Sequence, residues 1–154
     1  MKKYSQVPPF LIARATRLVI TGRVHFPKDQ IGAIIKENED FIVFRKVVLD
    51  PQGSQPIIPR AIFKVYFHFA RFSLDANKKL SLIPIPFIIA QPGFISKTWL
   101  FGRDTGMFQG KYEWANLEDA EHYWSSFPLK LMKSRAEENT LKHEIIKIND
   151  EETE

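Results

Sequence analysis

The residues best suited to chemistry cluster late in the chain. Trp99, Tyr112 and Trp114 fall in two neighbouring extended stretches, where their rings could wall a pocket and their N–H and O–H groups could orient a polar substituent. Trp124, on the segment that follows, completes the set of candidate substrate-binding aromatics. Lys97 is two positions from Trp99 and so shares its face in an extended chain, where an ammonium would attract an anionic or enolate oxygen. The same aromatics would serve equally as core packing, and the same lysine as a strand-edge cation; residue type and spacing leave both readings open. The four histidines, His25, His68, His122 and His143, are dispersed, and no two have the spacing of metal ligands on one helical turn. His122 beside Glu121 is a candidate general base or axial haem ligand, or simply an exposed helix residue, because imidazole titrates near neutrality. His68 is better placed for a subunit contact.

Positioning these groups requires strands and helices in a definite order. Phe63, Val65, Phe67 and Phe69 alternate with Lys64, Tyr66 and His68, which predicts a strand from Ala61 with one apolar face. Ser73-Leu74-Asp75 opens a helix that Pro84 and Pro86 must break, with a restart near Pro86 and a stop at Gln91-Pro92-Gly93. Phe94 to Phe101 and Met107 to Trp114 read as a hairpin around Gly102-Arg103-Asp104-Thr105-Gly106. Asn116 is an N-cap, and Leu117, Ala120, Trp124, Phe127 and Leu131 recur at helical spacing, interrupted by Pro128. Leu141 to Ile148 is a last strand. The order strand, broken helix, strand, strand, helix, strand predicts an α+β, ferredoxin-like βαββαβ unit with an antiparallel sheet over residues 61–148, and an acidic, disordered tail over 149–154. Residues 1–60 form a β-rich N-terminal extension. Within it, alternation of Leu18, Ile20, Val24 and Phe26 with polar residues predicts a strand, Asp29 to Lys36 two helical turns, and Phe41 to Leu49 a second strand. Phe10 to Ile20 has an alternative reading, an amphipathic helix after Pro8 and Pro9 with Arg14 and Arg17 opposite Leu11, Ala15 and Val19. As a helix it would suit a membrane-surface or partner contact.

Composition narrows the classes. At 154 residues there is material for one core, and 13 Phe, 4 Tyr and 3 Trp make that core aromatic. No cysteine is present, which removes disulfides, thiolate metal sites and cysteine nucleophiles and suits a cytoplasmic location. The net charge of +4 comes without an arginine-rich run or a helix-turn-helix pattern, so no nucleic-acid partner is expected. Met1 to Phe10 lacks the pattern of a secretory signal, and Leu80 to Ala90 is too short and proline-broken to span a bilayer. Phosphate-cradling glycine loops, a Gly-x-Ser-x-Gly elbow and paired carboxylates are all missing.

Three stretches, Gln91-Pro92-Gly93-Phe94-Ile95-Ser96-Lys97-Thr98-Trp99-Leu100, Gly110-Lys111-Tyr112-Glu113-Trp114 and Asp119-Ala120-Glu121-His122-Tyr123-Trp124-Ser125-Ser126-Phe127, resemble the YdhR-like mono-oxygenase group of dimeric α/β-barrel proteins and, more distantly, spheroidene mono-oxygenase. The resemblance spans residues 61–148. It implies a homodimer with facing sheets and, in each subunit, a cleft between sheet and helices for an apolar or aromatic small molecule. The cleft would need neither metal nor flavin, with haem as the alternative occupant. On this reading Lys97 or His122 would help form or stabilise an enolate-like anion that reacts with oxygen, and Trp99, Tyr112, Trp114 and Trp124 would hold substrate. The competing expectation is a non-catalytic protein that sequesters a hydrophobic ligand or haem.

Overall fold

The computed structural model describes residues 6–51, 53 and 57–148. The expected acidic tail and most of the turn-rich stretch after Asp50 therefore lie outside the described residues.

The strand expected from Ala61 is present. Strand Ala61–Phe67 buries every second residue, as a period-two pattern requires of a sheet covered on one face. The chain then crosses through helices Leu74–Leu80 and Ile85–Ile89 to the hairpin strands Phe94–Gly102 and Phe108–Trp114. It returns through helices Leu117–Tyr123 and Phe127–Arg135 to the edge strand Lys142–Lys147. Numbered in chain order with the N-terminal elements below, these are β4, α2, α3, β5, β6, α4, α5 and β7. All pairings are antiparallel, in the order β7-β4-β6-β5. Both helical connections are broken where prolines remove a donor: Ser73 caps α2, α3 restarts with Pro at its first turn, and Ser126 caps α5 ahead of Pro128. Gly93 takes φ +75°, a left-handed conformation, and a Cβ there would run into the Asp119 carboxylate of α4. That contact accounts for the Pro-Gly-Phe turn before β5.

Residues 24–49 extend the same sheet. Strand β3, Asp40–Leu49, pairs with the edge of β5, and the short β1, Val24–His25, and β2, Ile34–Lys36, both pair with β3. Two expectations are corrected. Leu18 and Ile20 are not strand residues but end helix α1, Pro8–Ile20, which begins with Pro at its first turn and stops at Thr21 before Gly22 at φ +74°. The deciding period is Leu11, Ala15 and Leu18, all at most 3% exposed and packed into the core beside α3, whereas Val19 faces solvent. Full burial of a leucine stabilises by about 1.5–3 kcal/mol, enough to override the strand preference of Val19 and Ile20. The amphipathic stripe is therefore spent inside the molecule, and Arg14 Nε donates to Ala90 O at 3.0 Å. The second correction is Asp29 to Lys36. Backbone bonds from Ile31 N to Lys28 O and from Ala33 N to Gln30 O make turns, and β2 follows in place of a helix.

The sheet face away from the helices is partly covered by this extension. Phe41, Val43 and Leu100 form a small buried cluster with Tyr66 and Met107. Glu37, just after β2, reaches over the sheet and accepts hydrogen bonds from Tyr66 Oη at 2.9 Å and Gln109 Nε2 at 2.9 Å. What that face still offers is mixed, with Lys46, Lys64, Thr98 and Lys111 beside Ala33 and Ile35. Among the described residues no helix is long and apolar enough to cross a membrane.

Candidate functional site

The register of the hairpin assembles the site. Lys97 pairs with Tyr112, Trp99 with Gly110 and Phe101 with Phe108, so Lys97, Trp99, Tyr112 and Phe108 all face the helices. Gly110 supplies room: an added Cβ would lie 3.1 Å from Tyr112 Cε1, 3.2 Å from Val65 Cγ1 and 3.4 Å from Lys97 Cε. The helices, broken at Ser81–Pro84 and at Trp124–Ser126, do not close over this floor. They leave a cavity of about 270 Å³. Its sheet side is Phe67, Lys97, Trp99, Phe108 and Tyr112; Leu80, Ser81, Ile83 and Ile88 form one wall, and Tyr123, Leu131, Met132 and Arg135 another. Phe69 and Phe72 border it from the loop after β4.

Lys97 is the exceptional member. It is 4% exposed, and its Nζ lies 4.4 Å from the Trp99 ring centroid, 4.6 Å from that of Tyr112 and 5.7 Å from that of Phe108. Among the described residues no carboxylate or carbonyl accepts a hydrogen bond from it. Ring contacts can return about 2 kcal/mol to a desolvated cation, against several kcal/mol for removing the charge from water. Desolvation wins: burial, reinforced by the charges of Arg45 and Arg135, holds the Lys97 pKa well below the ordinary lysine range.

The two arginines are held by neutral groups. Arg45 on β3 donates from Nη1 to Ser81 Oγ at 2.5 Å and from Nη2 to Lys78 O at 3.0 Å, and its Cζ is 5.5 Å from the Trp99 ring centroid. Arg135 at the end of α5 donates from Nη2 to Asn77 Oδ1 at 2.8 Å and lies 4.9 Å over the Phe69 ring. Burial lowers the pKa of both, yet guanidinium stays charged. Tyr123 donates its hydroxyl to Tyr112 Oη at 3.2 Å, and burial pushes both phenols above their usual value.

Of the residues singled out in the sequence, Lys97, Trp99 and Tyr112 are brought together on the cavity wall. Trp114 is fully buried beneath it, stacked on Tyr112 and packed against Tyr123 and Phe94. Trp124 lies off the wall, stacked on His143 at 3.7 Å with Lys133 Nζ 3.9 Å above its ring. His122 is on the exposed side of α4. His25, on β1, pairs with Asp50 at 2.6 Å and is separated from the floor strand β5 by β3. Tyr123, Arg45, Arg135 and Ser81 were not legible as site residues. Tyr123 stands inside one of the recognised stretches, but nothing in the sequence announces that the two arginines converge on one strand of aromatics. Trp99 Nε1 and Trp114 Nε1 are buried without a hydrogen-bond partner among the described residues. No group of three or more His, Cys, Asp or Glu among those residues could hold a metal ion.

No family model matches the chain, and no curated protein is similar to it in sequence. Solved structures are similar in fold. A haem-degrading enzyme from Listeria monocytogenes superposes with a TM-score of 0.57 at 14% identity, covering 75% of this chain and 74% of that one. An uncharacterised ferredoxin-fold protein related to antibiotic biosynthesis mono-oxygenases, from Listeria monocytogenes 4b F2365, gives 0.54 at 14% identity over 75% and 68%. A cofactor-independent oxygenase from Streptomyces nogalater gives 0.48 at 14% identity over 60% and 96%. The fold implied by those three stretches is thus the fold observed: the chain is an α+β protein similar in fold to the two Listeria proteins, and its four-stranded ferredoxin-like sheet is continued by β1–β3.

Proposed function

We propose that the protein binds an apolar or aromatic small molecule in the cavity between sheet and helices and oxidises it with molecular oxygen, as mono-oxygenase-like proteins of this fold would. The observation that carries the reading is Lys97: a buried lysine with no acceptor among the described residues, on a largely apolar wall, its pKa held well below the ordinary lysine range by burial. An amine whose pKa is lowered in this way can serve as a general base. It would take a proton from an acidic CH2 of the bound substrate, and the resulting ammonium, together with Arg135, would face the carbanion or enolate in a site that excludes water. The substrate itself supplies the electrons: a CH2 group and O2 become C=O and H2O, with no further reductant. Trp99 and Tyr112 hold the ring system.

Haem is a poorer fit. No histidine is on the cavity wall among the described residues, so a histidine-held haem has no axial ligand there, and no step is routed through one.

Native mass spectrometry and an absorption spectrum of protein purified from its own host test the reading, with Leu131→Trp as the variant that fills the cavity. A bound aromatic that Leu131→Trp excludes, and that consumes oxygen when returned to the wild-type protein, is expected. A ligand recovered unaltered under oxygen would leave a carrier and remove the oxygenase. Failure to bind any apolar aromatic would remove both.

A further inference from the structure

The charges around the cavity are one-sided. Lys97 on β5, Arg45 on β3 and Arg135 on α5 converge near the Trp99 and Phe69 rings, and the wall contains no aspartate or glutamate. None of the three is in an ion pair among the described residues: Arg45 and Arg135 bond a serine hydroxyl, a carbonyl and an asparagine amide, and Lys97 bonds nothing. The other titratable groups facing Lys97 are the phenols Tyr112 on β6 and Tyr123 on α4, both kept protonated. Folded proteins bury cations with counter-ions, because an uncompensated buried charge costs several kcal/mol; Lys97 is buried, Arg45 and Arg135 are half-buried, and the cavity wall holds no acid for any of them. We infer that the missing counter-ion belongs to the ligand: the cavity selects an apolar acid whose anionic group docks between Lys97 and Arg135 and whose ring system points toward Phe72 and Ile83 at the mouth.

This inference rests on the small-molecule reading above and names the substrate class for it. It also fixes the protonation of the complex. A substrate arriving as the acid gives its own proton to Lys97, the same transfer that forms the enolate, whereas a probe that arrives already ionised mimics that enolate and leaves Lys97 to draw its proton from water. The bound state is the same ion pair.

A matched pair of probes tests it: 2-naphthoate and its neutral isostere 2-naphthamide, titrated calorimetrically at pH 7.5 in two buffers of different ionisation heat. Naphthoate should bind at least tenfold tighter, with up to one proton taken up per molecule bound, and Lys97→Met should bring the two probes within about threefold and abolish the uptake. Equal affinity of the two probes in the wild-type protein, or a preference for naphthoate that survives in Lys97→Met, would overturn the inference while leaving an apolar binding site. Binding of neither probe would remove the binding reading and the inference together. Should Lys97→Met not fold, the wild-type comparison decides alone.

Discussion

Replacing Lys97 by methionine is expected to stabilise the protein, and to do so in a pH-dependent way that reports the state of the amine. An unfolded lysine titrates at about 10.4, and burial depresses the folded value. Below the folded pKa both states hold the proton and the full penalty for burying the ammonium is present. Between the two pKa values the unfolded chain is protonated and the folded one is not, so wild-type stability rises with pH by about 1.4 kcal/mol per unit. Above about 10.4 the penalty is gone. Methionine fills the same space between Trp99 and Tyr112 and does not titrate. The stability gap in favour of Lys97→Met should therefore shrink by about 1.4 kcal/mol for each pH unit within that window, which for a chain of this size is about 3–5 °C in Tm. Urea unfolding of both proteins, unliganded, at intervals from pH 7 to pH 10.5 measures it. A gap that stays constant over that range would mean Lys97 is charged throughout, and a variant less stable than wild type at pH 7 would mean the amine has an anionic partner already; either refutes a neutral amine and the general base built on it.

Two further substitutions probe the floor and a connection. Gly110→Ala places a methyl within 3.1–3.4 Å of Tyr112, Val65 and Lys97, three groups fixed by the sheet, and should cost about 1–3 kcal/mol in urea unfolding as an overpacked core position; a neutral effect would show that the Lys97 stem moves freely. Asn116→Ala removes the side chain that accepts from Asp119 N at 2.8 Å at the start of α4, and should lower stability by about 1 kcal/mol by the same measurement.

The ferredoxin-like order was legible because its signals are local. Alternation in Ala61–Phe67, the glycine-bounded turn between β5 and β6, the caps at Ser73 and Asn116 and the prolines at 84, 86 and 128 each act within a few residues, so period and turn chemistry suffice. At the N-terminus the sequence leaves strand and amphipathic helix both open over Phe10 to Ile20, for the converse reason, and the structure takes the helix. Val19 and Ile20 favour a strand locally, and only α3 and the sheet behind Leu11, Ala15 and Leu18 make the helical period the better one. The same division runs through the site. Sequence alone determined that Lys97 and Trp99 share a face and that aromatics from two strands meet there, since neighbours in a strand cannot choose their sides. Only tertiary structure decided that Trp114 goes under the cavity, that Trp124 and His122 leave it, and that Arg45 and Arg135 come from positions 45 and 135 to surround one lysine. Charge and burial at a point are sums over everything packed around it, and three cations without a carboxylate are a property of that packing, which no spacing along the chain records.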